Sequence, residues 1–193
     1  MNKNYLTGAR QEFLNASKTL PSEIQAGLNS RAITLVDAII YSAKALGDNT
    51  TKEMMEASDT SKSGITNLNN RKLETNQYMM VTGIRLQTAT ISGTDAITEA
   101  NIASADFDTK INSIVANGEL EISAAGKPIF PRNSCQIFNT GTYNTMLRGL
   151  YLLDCPKMIV SQAEIVPTLR LNATSGGRIV ARVELHGVKT VRA

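Results

Sequence analysis

The 193-residue chain has few of the residues that catalytic and metal sites need. It has one histidine, two cysteines, no tryptophan, four phenylalanines and five tyrosines. A catalytic triad or a His-rich metal site would depend on His186 alone, which the pattern places in a turn after a strand and predicts to be solvated. Cys135 and Cys155 match neither a disulfide framework nor a metal-ligand spacing, so both are expected to be free thiols in a reducing compartment. Scarce aromatic residues argue against sugar or base recognition by stacking.

Long hydrophobic runs and sequence motifs of catalysis are also missing. No run of 18 apolar residues occurs, and the first 20 residues lack the apolar segment of a signal peptide, so neither a membrane span nor secretion is expected. The sequence has no phosphate-cradling glycine loop, Cys-x-x-Cys pair or His-Glu-x-x-His motif. Glu119 and Glu121 could form a carboxylate pair, but their spacing predicts one solvent face of a strand. We therefore expect no enzymatic activity and no cofactor.

The composition is that of one globular domain, with 42% hydrophobic and 19% charged residues and a net charge of +3. The N-terminal residues have helical spacing. An apolar stripe of Leu6, Phe13 and Leu20 predicts an amphipathic helix over 7–20, which Pro21 ends. Ser22 and Gln25 have capping-box spacing for a second, short helix. We therefore expect residues 1–30 to form a partly helical arm and residues 31–193 to form the main domain.

The rest of the chain is predicted to be mainly β. Strands are predicted over 32–42, 77–88, 127–130, 135–138, 150–153, 157–160, 164–173 and 178–185. The Asn117-Gly118 pair predicts a β-hairpin over 111–123. Thr50 to Glu53 has capping-box spacing and predicts a turn of helix, followed by a polar loop over 58–76. A short helix is also expected near 95–105, and Pro167 predicts an edge position or a bulge. This pattern is typical of an antiparallel sandwich, a jelly roll or a barrel.

Two stretches resemble a known family. They are Lys62-Ser63-Gly64-Ile65-Thr66-Asn67-Leu68 leading into Met80-Val81-Thr82-Gly83-Ile84-Arg85-Leu86, and Val183-Glu184-Leu185-His186-Gly187-Val188-Lys189-Thr190. In these stretches the chain is similar to the jelly-roll coat proteins of tailless icosahedral bacteriophages. The resemblance covers about residue 60 to the end. It implies an eight-stranded antiparallel jelly roll that self-assembles into a shell, has no enzymatic site and reaches neighbouring subunits with its arm.

Three functions follow as hypotheses. The first is a capsid protein that is assembled in the host cytoplasm, resides in the virion, and binds copies of itself and other virion proteins. The second is a ligand- or receptor-binding β-sandwich module without enzymatic activity. The third, a cupin-like enzyme, would need two or three histidine ligands, and one histidine argues against it.

Two groups of residues are predicted to carry a capsid function. The stripe of Leu6, Phe13 and Leu20 has no partner in a strand-only fold, so we expect it to bind a neighbouring subunit. Positive charge gathers at both ends of the chain, and strand alternation turns Arg178 and Arg182 away from the core together. These arginines are therefore candidates to face an anionic partner, with genome and membrane both left open.

Overall fold

The computed structural model describes residues 4–93, 96–107, 110–140 and 147–193, with side chains from Gly8 onward. This part of the chain contains four α-helices and eight β-strands. The helices are α1 (Asn4–Ala16), α2 (Ser22–Asn29), α3 (Glu99–Ala103) and α4 (Ser113–Ala116). The strands are β1 (Ile33–Ala45), β2 (Thr51–Glu53), β3 (Met79–Thr90), β4 (Glu119–Ala124), β5 (Lys127–Ser134), β6 (Leu150–Ile159), β7 (Ile165–Arg170) and β8 (Ile179–Arg192). The chain is therefore mainly β, as predicted.

The strands form two four-stranded antiparallel sheets. Sheet A has the order β1-β8-β3-β6, and sheet B has the order β2-β7-β4-β5. The pairs β1 with β8, β2 with β7, β3 with β6 and β4 with β5 are nested within one another, like the rungs of one long hairpin. Two further pairs, β3 with β8 and β4 with β7, complete the sheets. The predicted β-sandwich is confirmed.

The main core lies between the two sheets. Alternate side chains of β4 are buried, and in β8 the predicted inward set of Ile179, Ala181, Val183 and Leu185 joins the same cluster. Phe130, Phe138 and Tyr151 pack with ring centroids about 6 Å apart near one side of this core. The period-two pattern in these strands therefore marked the core correctly.

The predicted hairpin at Asn117-Gly118 is wrong. Residues 113–116 are helical, because the side chain of Asn112 accepts the N–H of Ile114 at 2.9 Å and caps α4. The hairpin joins β4 to β5 instead, through Ala125 and Gly126, whose φ angles are 48° and 73°. Two residues at positive φ are what a tight hairpin requires, and here alanine takes the first position.

Other predicted boundaries also differ. The helix expected from Thr50 is wrong, since Thr51–Glu53 is strand β2 and pairs with the otherwise open side of β7. The two runs around 154–156 are one strand, β6, in which residues 153–156 bulge opposite Thr82. Residues 135–138 are a 3₁₀ turn, not a strand.

Pro167 occupies a local edge within an inner strand. It lies in β7 between β4 and β2, and its carbonyl accepts the N–H of Met54 at 2.8 Å, just beyond the end of β2. The side of Pro167 that lacks an N–H therefore faces the place where its neighbour strand stops.

Candidate assembly face and buried ionic cluster

Helices α1 and α2 cover one half of the outer face of sheet A. Helix α1 lies across β8, β3 and β6, and α2 lies against β1. The helices and the sheet share a second apolar cluster, separate from the main core, formed by Ala9, Phe13, Leu20, Ile24, Tyr78, Met80 and Val188. The molecule therefore has three layers in this half: helices, sheet A and sheet B.

Two of the three residues predicted for the assembly arm are buried against other residues of their own chain. Phe13 is fully buried and Leu20 is 7% exposed, both in the second cluster. The side chain of Leu6 lies outside the described residues, although its backbone belongs to α1. The expectation that the stripe has no partner in the same chain is wrong, because sheet A offers a second apolar face. Met79 and Val81 interrupt the alternation of apolar and polar residues in β3. This nearly continuous apolar run indicated a strand that is buried on both faces.

Replacing Leu20 with alanine should lower the free energy of unfolding by about 2 kcal/mol, since it opens a cavity between the helices and sheet A. The matched control is Leu14→Ala, because Leu14 lies in the same segment and is 45% exposed. We expect the control to change stability by less than about 0.5 kcal/mol in urea unfolding. Equal, negligible effects of both variants would show that the helices do not pack on the sheet in solution.

The other half of the outer face of sheet A contains a buried ionic cluster. Glu184 lies in the middle of β8, and only 4% of it is exposed. Its Oε1 lies 2.8 Å from Nε of Arg182, and its Oε2 lies 2.8 Å from Nε2 of His186 and 3.6 Å from Nη1 of Arg85. Arg182, Glu184 and His186 are two residues apart on one strand and so share a face. One carboxylate is thus held among three basic side chains.

His186 does not lie in a solvated turn, and that prediction is wrong. It is 4% exposed and sits within β8, opposite Ile39 of β1 and Gly83 of β3. Burial raises the pKa of Glu184, but the hydrogen bond from His186 and the charges of Arg182 and Arg85 lower it by more in total, so the net pKa is below its ordinary value. An ionised carboxylate can only accept hydrogen bonds, so Nε2 of His186 carries the proton that it donates.

The ionic cluster makes an acid-sensitive contribution to stability. Because the pKa of Glu184 is lower in the folded state, its contribution is complete above the ordinary value of 4.5 and is lost as the pH falls through the folded value. We expect the difference in unfolding free energy between the wild type and Glu184→Gln to shrink as the pH falls below about pH 4.5. Urea unfolding of both proteins across this range measures it. A difference that grew on acidification would contradict the assignment.

Arg178 and Arg182 are both engaged within the chain. The guanidinium of Arg178 donates to the carbonyls of Ile91 and Ser92 at 3.0 and 2.6 Å, and so holds the loop after β3. The guanidinium of Arg182 pairs with Glu184 and lies 4.3 Å from the ring centroid of Tyr41. Arg182 does point away from the core, as predicted. Both side chains have internal partners, and their role toward an anion stays a prediction.

The outer face of sheet B carries paired surface charges. Glu119 pairs with Arg132, and Glu121 pairs with Arg170 at 2.9 Å. Both glutamates are half-buried at alternate positions of β4. They share one solvent face, as predicted.

The two cysteines differ in environment, but both are free thiols, as predicted. Cys135 is buried in the main core, and burial, with a smaller effect from the charge of Glu119, raises its pKa to about 12. Cys155 is exposed in the bulge of β6. The buried thiol therefore acts as a small apolar side chain.

Two shallow clefts with a mixed polar and apolar lining lie beside the segment 69–77. One, of about 280 Å³, is lined by Asn69, Asn70, Lys72, Leu73, Glu74, Thr75 and Gln162. The other, of about 220 Å³, shares Glu74 and Thr75 and extends to Thr190, Val191 and Arg192. Several side chains here already bond to their own chain, such as Gln162 to the carbonyl of Leu73 at 2.7 Å.

The described residues form neither a metal centre nor a membrane-spanning helix. Among them, no group of three or more His, Cys, Asp or Glu side chains is arranged to hold a metal ion. No helix in the described ranges is both long and apolar enough to span a membrane. No protein-family model matches the chain, and no curated protein sequence matches it.

Proposed function

We propose that the sandwich is a jelly roll. The strand orders β1-β8-β3-β6 and β2-β7-β4-β5 support this, because they arise when one long hairpin of four nested antiparallel pairs is rolled into two facing sheets. Each strand except β5 lies in the opposite sheet to the one before it. Such crossing connections between sheets are the Greek-key feature of the architecture.

We further propose that the protein is a structural capsid subunit that assembles with copies of itself into a closed shell. The strand order is the observation that carries this proposal, since viral capsid domains are a main use of the jelly roll. Fold alone does not fix function, so the proposal also rests on the resemblance of residues 62–86 and 183–190 to phage coat proteins. The helical layer packed on sheet A supports it as well, because this layer gives each copy a defined outer surface to present to neighbours.

A ligand- or receptor-binding module is the second candidate. The two clefts beside residues 69–77 favour it, because Asn70, Asn76 and Gln162, which line them, are non-glycine residues with positive φ angles. Non-glycine residues at positive φ are uncommon, and such strain is often found at binding sites. In this case the folded chain would act as a single copy or a small oligomer.

Electron microscopy and light scattering of the purified full chain distinguish the two proposals. A capsid subunit should form closed particles of uniform size as the protein concentration is raised, at one ionic strength or more in a salt series. The reversible appearance of such particles would support the capsid proposal. A monomer at every concentration and every salt level would overturn it and leave the binding module.

A further inference from the structure

Three exposed arginines lie on segments that adjoin one another where β1 begins and β8 ends. Arg192 of β8 lies directly across from Ile33 of β1, and the next residue, Ala193, donates its N–H to the carbonyl of Ala32 at 3.0 Å. Arg31 immediately precedes Ala32 in the chain. Arg10 of α1 reaches the same place, because its Nη2 donates to the carbonyl of Leu35 at 3.3 Å. We call Arg10, Arg31 and Arg192 the arginine corner.

The arginine corner keeps its charge unneutralised. All three side chains are exposed, and within the described ranges none of the three forms an ion pair. By contrast, Arg132 and Arg170 on sheet B each pair with a glutamate. Positive charge at the corner is therefore available to a partner in solution.

The helical layer adds one lysine to this surface. Lys18 lies in the 3₁₀ turn that follows α1, and it is exposed. Four exposed carboxylates lie in the same region, on Glu12, Glu23, Asp37 and Glu74, and Glu74 lines the same cleft as Arg192. None of these carboxylates forms an ion pair with a described residue, so the three guanidinium groups of the arginine corner have no carboxylate partner among the described residues.

Arg31 occupies a position where glycine is usual. It follows Ser30, the C-cap residue of α2, donates its N–H to the carbonyl of Leu28 at 3.4 Å, and has a φ of 63°. A non-glycine residue in this conformation is less stable than glycine by about 1 kcal/mol. Part of this free-energy cost is offset by the dipole of α2, which favours a cation at the C-terminus of the helix. The fold therefore does not require an arginine at this position.

We propose that the arginine corner binds the phosphate backbone of a nucleic acid without regard to sequence. Guanidinium groups donate two parallel hydrogen bonds to phosphate oxygens, so three in one place suit a run of phosphates. A membrane surface fits less well, because interfacial helices insert an apolar face, and that face of α1 is buried against sheet A. This inference rests on the proposed function, since a genome is the nucleic acid that a shell would enclose.

The test measures binding of a labelled single strand of about 20 nucleotides by fluorescence anisotropy, between roughly 50 and 300 mM salt. For three phosphate contacts, the wild type should show a log–log slope of about −2 to −3. The variant Arg10→Gln, Arg31→Gly, Arg192→Gln should bind at least ~10-fold more weakly at the lowest salt and show a slope close to zero. Its thermal midpoint reports whether it folds, and glycine at position 31 suits the local φ.

The matched control removes the same formal charge from sheet B, as Lys127→Gln, Arg132→Gln, Arg170→Gln. We expect it to keep the wild-type slope. An equal loss of binding in the control would show that binding depends only on net charge, and would overturn the proposal. Binding of the protein to anionic vesicles but not to the oligonucleotide would also overturn it. Particle formation is scored in the same samples, so particles without oligonucleotide binding would refute only this inference, and binding without particles would refute only the shell.

Discussion

Replacing Glu184 with glutamine should lower the free energy of unfolding at neutral pH by about 3 kcal/mol. Glu184 is 4% exposed. Among the described residues, its carboxylate is the negative charge that lies beside Arg85, Arg182 and His186. Its removal leaves two guanidinium groups partly desolvated with no compensating charge. This is more destabilising than replacing the whole cluster with apolar residues of similar volume would be. Urea unfolding followed by circular dichroism measures the change.

The control for this prediction is Glu121→Gln. Glu121 also pairs with an arginine, Arg170, but its side chain is 40% exposed. Water screens a pair of this kind, so we expect a loss below about 1 kcal/mol. If both substitutions had the same small effect, the ionic cluster would be open to solvent.

Replacing Gly187 with alanine should be still more damaging, by about 4 kcal/mol or more. Gly187 lies in β8 opposite Val81, where the pairing of β3 with β8 shifts register. A methyl group on Gly187 would collide with the backbone carbonyl of Met80, which cannot swing aside as a flexible side chain could. Relief of the collision requires β3 and β8 to separate at the centre of sheet A. We expect the variant to be largely insoluble, or to unfold at much lower urea concentrations than the wild type.

Gly8→Ala is the control for the glycine prediction. Gly8 lies within α1, and an added methyl group there would meet no atom within 4 Å. Alanine is the better helix former, so this variant should be more stable than the wild type by up to about 1 kcal/mol. A similar loss in both variants would place the cause in glycine replacement as such, not in the contact with Met80.

The sequence by itself determined the local and periodic features of this protein. Alternation along Ile179, Ala181 and Val183 placed the inner face of β8, and the spacing of Phe13 and Leu20 placed the buried stripe of the N-terminal segment. These features follow from side-chain period, which depends only on neighbours in the chain. The β-sandwich followed from the number and spacing of such segments.

Only the tertiary structure decided what each face meets. The stripe of α1 looked unpartnered because its partner, formed by Tyr78, Met80 and Val188, comes from residues that are far apart in the sequence. Arg182 looked solvent-facing because alternation gives the face of a strand and not what covers that face. His186 was predicted to lie in a turn at Gly187, but its strand continues past Gly187 to Arg192. The arginine corner likewise combines α1, the start of β1 and the end of β8. Long-range pairing set these environments, and no local pattern encodes it.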